Sequence, residues 1–163
     1  MILIGFMGAG KTSVGHKLSE ILNQPFYDLD KEIMKEINMP LSKYFEIHGE
    51  SQFRQLEHQY LSKYYQLPGI ISTGGGCVET VENRILLEKM NNVIYLKADF
   101  DILQKRITDD QVSLRPIAQN NSIEELRSVY MNRFAFYQSC ATHTIETDHL
   151  TTQEVVDGVI NLI

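Results

Sequence analysis

Apolar residues along this chain alternate between two spacings. Short runs that read as strands are Met1-Ile2-Leu3-Ile4, the segment from Pro25 to Asp30, Ile70-Ile71-Ser72-Thr73, Val93-Ile94-Tyr95-Leu96-Lys97 and His143-Thr144-Ile145-Glu146-Thr147. Between them the apolar positions recur at helical spacing. Val14, Leu18, Ile21 and Leu22 mark one helix, and Ile33, Met34 and Ile37 a second. Asn38-Met39-Pro40 ends the second, and Ser42 is placed to cap a short helix carrying Tyr44 and Phe45. Gly49 should interrupt it before a longer helix from about Glu50 to Tyr65, with Phe53, Leu56, Tyr60 and Tyr64 inward. Val81, Ile85 and Met90 predict the next helix, and Phe100, Leu103 and Ile107 another behind a cap at Asp99. A long helix follows the capping box of Ser122 and Glu125, its stripe Ile123, Leu126, Tyr130, Phe134, Tyr137 and Ala141. Thr151 and Glu154 cap the last helix, with Val155, Val156, Val159, Ile160 and Ile163 inside.

Strands alternating with helices predict a parallel sheet covered on both faces, a three-layer α/β/α domain. No repeat, linker or low-complexity segment divides residues 1–163, and the length suits one domain. From Thr108 to Asn121 the periodicity fails in a polar stretch containing Arg115-Pro116. A stretch of that length inside a compact domain points to a functional loop or to disorder.

The first strand runs into Gly5-Phe6-Met7-Gly8-Ala9-Gly10-Lys11-Thr12, which satisfies G-x-x-x-x-G-K-[ST] at every fixed position. Such a loop wraps a polyphosphate with backbone N–H groups, so glycine is needed where side chains would block the approach. Lys11 would reach the β- and γ-phosphates, and the Thr12 hydroxyl can ligate Mg²⁺. A helix starting directly behind the loop adds its N-terminal partial charge.

In an open parallel sheet, ligands bind beyond the carboxyl ends of the strands. The second strand ends in Asp28 and Asp30 and the third in Gly74-Gly75-Gly76, so three motifs share one sheet edge. Two residues apart in extended chain, Asp28 and Asp30 would point the same way. One could serve the hydration shell of Mg²⁺ and the other a substrate hydroxyl; alternatively both cap the next helix. The glycines are either a flexible turn or a place where backbone approaches a ligand. Arg54, one turn from Glu50, Glu57 and His58, is either a surface ion-pair residue or an anion ligand. Arg133 lies on or beside an apolar stripe, between Tyr130 and Tyr137, where a charge needs a partner. A reach into the cleft for an anion is favoured over a core ion pair. Arg115 is a solvated charge unless its loop folds over a triphosphate, where it would neutralise the transferring group.

A formal net charge of −6 argues against a nucleic-acid partner but not against a small anion held by local arginines. Cys77 and Cys140 lie far apart with no metal or redox spacing, as expected of reduced thiols in a cytoplasmic protein. No apolar run approaches bilayer length, so no membrane association is expected, and a strand at the first methionine leaves no room for a signal peptide.

Taken together, these residues resemble the shikimate kinases over essentially the whole chain. The likeness rests on Gly-Phe-Met-Gly-Ala-Gly-Lys-Thr at 5–12, Asp-Leu-Asp at 28–30, Phe-Arg-x-x-Glu at 53–57 and Ser-Thr-Gly-Gly-Gly at 72–76. Leu-Arg-Pro at 114–116 and Arg-x-x-x-Tyr at 133–137 complete it. The resemblance implies a P-loop kinase fold with five parallel strands in the order 2-3-1-4-5, substrate-binding helices at about 31–65 and a mobile lid at about 108–121. It implies ATP-dependent phosphorylation of the 3-hydroxyl of shikimate, on the way to chorismate and the aromatic amino acids, by a monomer using Mg²⁺. By the family pattern Asp30, Arg54, Gly76 and Arg133 hold shikimate, and Gly8, Ala9, Gly10, Lys11, Thr12 and Ser13 hold the phosphates. Thr12 and Asp28, the latter through water, serve the metal, and Arg115 closes over ATP. Catalysis is thereby assigned to Asp30, Lys11 and Arg115.

Two departures from the family pattern concern the base. The segment from Arg106 to Arg115 is longer than usual, which weakens the match at Arg106, a candidate for stacking on adenine, so no adenine contact is assigned. Asp148-His149-Leu150 stands where a basic residue is common, and no site is carried over to it. Ser13 follows Thr12 in reverse of the usual order, and either hydroxyl can ligate Mg²⁺. The alternatives are a kinase for another polyol acid such as gluconate or for a nucleotide, a GTPase-type switch and an inactive ATP-binding module. The chain lacks the Asn-Lys-x-Asp and Asp-x-x-Gly that a GTPase-type switch would need.

Overall fold

A computed structural model describes residues 1–109 and 122–163. Five strands, β1 (Ile2–Ile4), β2 (Phe26–Asp28), β3 (Ile70–Ser72), β4 (Val93–Lys97) and β5 (His143–Glu146), form one parallel sheet. Its order is β2-β3-β1-β4-β5, as the resemblance implied. Among the described residues the helices are α1 (Lys11–Leu22), α2 (Leu29–Ile37), α3 (Leu41–Tyr64), α4 (Val81–Glu88), α5 (Phe100–Asp109), α6 (Ile123–Cys140) and α7 (Thr152–Ile160). A 3₁₀ turn, Cys77–Glu79, leads from the glycines toward α4.

The three central strands carry the core. Ile2, Leu3, Ile4, Ile70, Ile71, Val93, Ile94, Tyr95 and Leu96 are all buried, as strands covered on both faces must be. Leu18 of α1, Leu61 of α3, Tyr137 of α6 and Val156 of α7 pack into the same cluster. Both predicted capping boxes form, at Ser122–Glu125 and Thr151–Glu154.

Several expectations need correcting. β2 stops at Asp28, and Asp30 lies in the first turn of α2 rather than in extended chain. The reason is local: the Asp28 side chain accepts the Lys31 N–H and starts the helix, so the two acids do not share a strand face. α3 starts behind Pro40, not a Ser42 cap, with the Pro40 carbonyl accepting the Tyr44 N–H. Gly49 breaks that helix as expected, with φ 76° and ψ 167°. Ile21, Val81, Ile85 and Ile123 are exposed, although hydropathy placed them inward. In α4 the buried positions are Asn83 and Leu87 instead. The Asn83 amide donates to the Cys77 carbonyl at 2.8 Å, and its Oδ1 lies 2.8 Å from His58 Nδ1, so a polar residue is satisfied inside. α5 continues through Asp109, two residues into the span assigned to the lid; positions 110–121, including Arg115, lie outside the described residues.

Candidate active site

The loop after β1 is held by its own backbone shape. Gly8 and Gly10 adopt φ 80° and 89°, which side-chain-bearing residues seldom do. A Cβ on Gly8 would meet the Leu103 carbonyl oxygen at 3.0 Å, whereas one on Gly10 would meet open space. Gly8 is therefore closed in by α5, while Gly10 leaves the N-terminus of α1 open to a ligand. The buried Lys11 ammonium donates to the carbonyls of Gly5 (2.8 Å) and Phe6 (3.0 Å), across the base of the loop. The Thr12 hydroxyl donates to Asp28 Oδ2 at 2.9 Å, joining the start of α1 to the end of β2. A hydroxyl beside a carboxylate is a hard-oxygen pair that fits Mg²⁺, which takes few protein ligands and keeps waters and phosphate oxygens for the rest.

Beside this loop is a cavity of about 290 Å³. Gly8, Ala9, Gly10 and Ser13 form one wall, and Arg106, Thr147 and Leu150 form much of the other. Arg106 is fixed there, its guanidinium donating to the Thr147 carbonyl (2.6 Å) and hydroxyl (3.1 Å). The stretch after β5, to which no role was carried over, thus borders the loop. Little in its sequence signals this, because the residues it places at the cavity, Thr147, Leu150, Thr151 and Thr152, carry no charge.

On the other side of the sheet edge lies a polar cluster built on the triple glycine. A Cβ on Gly74 would stand 2.6 Å from both Asp30 Oδ1 and Glu57 Oε1, and one on Gly76 would fall within the Arg54 guanidinium. Glycine is needed here because charged side chains lie directly on the main chain. The buried Arg54 pairs through Nη1 with Glu57 and through Nη2 with Glu50 and Glu79, each of the latter at 2.7 Å. Arg133, also buried, places its Nη2 3.0 Å from the same Glu79 oxygen. Tyr137, one turn farther along α6, donates its hydroxyl to the Gly75 carbonyl and anchors the turn from behind.

The charges are strongly coupled. Burial pushes the Glu57 carboxyl up to about 7; the Arg54 charge opposes the rise and the Asp30 charge adds to it. Burial alone would lower the Arg54 guanidinium, but the charge and hydrogen bond of Glu57, with help from Glu79 and Glu50, raise it above its ordinary value. Arg54 Nε, Glu57 Oε1 and both Nε and Nη1 of Arg133 are buried with no hydrogen-bond partner among the described residues. Such groups are costly to leave unmet, and the three arginine N–H donors among them suit a carboxylate.

Thus Asp30, Arg54, Gly76 and Arg133 come together in one cluster. Gly8, Ala9, Gly10 and Ser13 line the neighbouring cavity, and Thr12 reaches Asp28. The roles of Glu57 and Glu79 were not read from the sequence. Glu57 was visible in Phe-Arg-x-x-Glu at helical spacing from Arg54, whereas nothing local marked Glu79, which meets the arginines only through the fold.

Comparison with known proteins gives this constellation a family. Residues 7–163 match the family model described as Shikimate kinase. A shikimate kinase of Enterococcus faecalis is 40% identical over 160 residues, covering 98% of this chain and 95% of that protein. One from Streptococcus gordonii is 41% identical over 157 residues, covering 96% and 95%. Among solved structures, a shikimate kinase from Acinetobacter baumannii in complex with shikimate superposes with a TM-score of 0.91 at 32% identity, covering 99% of this chain and 90% of that one. A deoxyadenosine kinase from M. mycoides, TM-score 0.63 at 14% identity, shares the fold alone. With near-complete coverage from sequence and structure alike, the chain belongs to the shikimate kinase family.

Proposed function

We propose a division of labour among these residues for the reaction of the family, transfer of the γ-phosphoryl group of ATP to the 3-hydroxyl of shikimate. The products are 3-phosphoshikimate and ADP, and the step leads toward chorismate and the aromatic amino acids. Arg54 and Arg133 grip the ring carboxylate. The observation that carries this is the buried Nε and Nη1 edge of Arg133, left without a partner among the described residues beside a second guanidinium. Charged hydrogen bonds of that kind contribute on the order of 1.5–3 kcal/mol each. Gly76 lets Arg54 lie against the backbone, and Asp30 accepts the proton of the hydroxyl as its oxygen attacks phosphorus.

The backbone from Gly8 to Ser13 cradles the phosphates, with Lys11 turning from the loop carbonyls to the β- and γ-phosphates. The cavity bounded by Arg106 and Leu150 takes the nucleoside. Thr12 and Asp28 would hold Mg²⁺, the latter through water; when bound, the ion neutralises charge on the phosphates. Arg115 receives its role in closing over ATP from the Leu-Arg-Pro motif. A cytoplasmic location is in keeping with two free, buried cysteines, and a monomer remains the expectation. No helix among the described residues is long and apolar enough to cross a membrane.

The test is ATP consumption with shikimate, with gluconate, with a nucleoside monophosphate and without acceptor. Turnover with shikimate alone is expected. Faster turnover with gluconate or the nucleotide would overturn the substrate assignment.

A further inference from the structure

Glu79 ends the 3₁₀ turn directly behind the glycines. One of its oxygens, Oε2, lies 2.7 Å from Arg54 Nη2 and 3.0 Å from Arg133 Nη2. A carboxylate of the chain itself therefore bridges the two guanidiniums assigned above to the carboxylate of the substrate. Three acids already surround Arg54: Glu50, Glu57 and Glu79. A further negative charge arriving on the pair, beside Glu50 and Glu79, would leave an uncompensated excess where water is scarce. Some acid must give way. Glu57 is enclosed, its side chain 3% exposed and paired with Arg54, while the Glu79 side chain is 34% exposed and has water to turn into. Glu50 is more exposed still, at 59%, but it pairs only with Arg54. Of the three, Glu79 alone spans both arginines.

We propose that Glu79 is an internal stand-in for the substrate carboxylate. In the empty site it neutralises Arg54 and Arg133 and holds them at the spacing a carboxylate needs. On binding, the incoming carboxylate takes the Nε and Nη1 edge of Arg133, its charge replaces that of Glu79 beside the two Nη2 groups, and the Glu79 side chain rotates toward solvent. Only a ligand able to compensate both arginines displaces it, so Glu79 raises the threshold for binding and favours acids over uncharged polyols. The inference rests on the assignment of the ring carboxylate to Arg54 and Arg133.

The experiment measures shikimate dissociation constants by calorimetry for the full chain and for Glu79→Gln, Glu79→Asp and Arg133→Ala. Steady-state constants for both substrates and binding of a ring analogue lacking the carboxylate are measured alongside. Glu79→Gln keeps the shape and a hydrogen-bonding oxygen but loses the charge; Glu79→Asp keeps the charge but is too short to span both arginines. With the competing charge gone in Glu79→Gln, the site is no longer partly self-occupied, and that variant should bind shikimate about fivefold or more tightly; Glu79→Asp, whose carboxylate cannot bridge both arginines, should shift in the same direction by less. The gain should appear in KM for the acid and not in KM for ATP. The selectivity for shikimate over the carboxylate-free analogue should change with it. Arg133→Ala should bind shikimate more weakly. If Glu79→Gln leaves the shikimate constant unchanged or raises it while Arg133→Ala weakens binding, Glu79 is a fixed part of the frame; the stand-in is overturned and the arginine assignment stands. If neither Glu79→Gln nor Arg133→Ala moves that constant, the arginine assignment itself falls and the stand-in with it.

Discussion

Arg54 and Glu57 face each other one helical turn apart on α3, both buried, and the glutamate also lies against Gly74 beside Asp30. The guanidinium supports the charge on Glu57, but burial and Asp30 together win, and the carboxyl is pushed up to about 7 from an ordinary 4.5. Folded chain therefore holds this proton across a window in which unfolded chain has lost it. The stability that follows is fully present below pH 4.5 and is lost as the pH rises through 7. Its slope is at most about 1.4 kcal/mol per pH unit. Glu57→Gln should flatten the pH dependence of Tm between those limits. Parallel Tm profiles for the two proteins would show that Glu57 does not titrate there.

Gly76 has φ −94° and ψ −1°, which any residue can adopt, so its replacement carries no backbone strain. What stands in the way is Arg54, whose guanidinium occupies the space of the missing Cβ. Gly76→Ala should therefore displace Arg54 and raise KM for shikimate, on the order of tenfold for the loss of one charged contact. KM for ATP should change little. Steady-state kinetics with each substrate varied in turn will separate the two.

How far the sequence led is clearest around these glycines. The strands, their order through the family likeness, and the P-loop were all legible, because buried strands and phosphate loops depend on local residue type and spacing. The Asp28–Asp30 relation was misread because one helix cap, the Asp28 carboxylate on the Lys31 N–H, decides where β2 stops. Exposed Val81 and Ile85 misled for a similar reason: the inward face of α4 is chosen by Asn83, whose partners Cys77 and His58 are distant in sequence or hidden behind the turn. Glu79 left no signal, since its meeting with Arg133 spans 54 positions and exists only once α6 packs against the turn.

Asp30 sits in the first turn of α2, close enough to Gly74 that a Cβ there would touch its carboxylate. As the acceptor of the hydroxyl proton it should matter to the chemical step and not to nucleotide affinity. Asp30→Asn is expected to keep ATP binding while lowering kcat by about 10²-fold or more. Near-normal turnover in that variant would remove Asp30 from proton transfer.

Tyr137 fills the space behind the glycine turn, stacking on Tyr95 with ring centroids 5.1 Å apart and donating to the Gly75 carbonyl. Burial raises the phenol well above its ordinary pKa, so it remains a donor at every working pH. Tyr137→Phe keeps the ring and deletes the donor, costing the part-buried Gly75 carbonyl its hydrogen bond, about 1 kcal/mol. Tm should fall accordingly. Because Gly75 lies between Gly74, against Asp30 and Glu57, and Gly76, against Arg54, loosening it should also raise KM for shikimate. A Tm loss with unchanged KM would make Tyr137 a prop for the core alone.

Arg133 separates a binding role from a structural one most sharply. It is buried on α6, shares Glu79 with Arg54, and keeps Nε and Nη1 unmet among the described residues. If those donors await the acid, Arg133→Ala should raise KM for shikimate by about 10²-fold, the equivalent of roughly 3 kcal/mol for a charged, partly bidentate contact, with KM for ATP nearly constant. Arg133→Lys keeps the charge but presents a point donor in place of the fork, and should recover only part of the affinity. If both Michaelis constants rise together in Arg133→Ala, or if lysine restores binding fully, the guanidinium serves to hold α6 against the glycine turn rather than to receive a carboxylate.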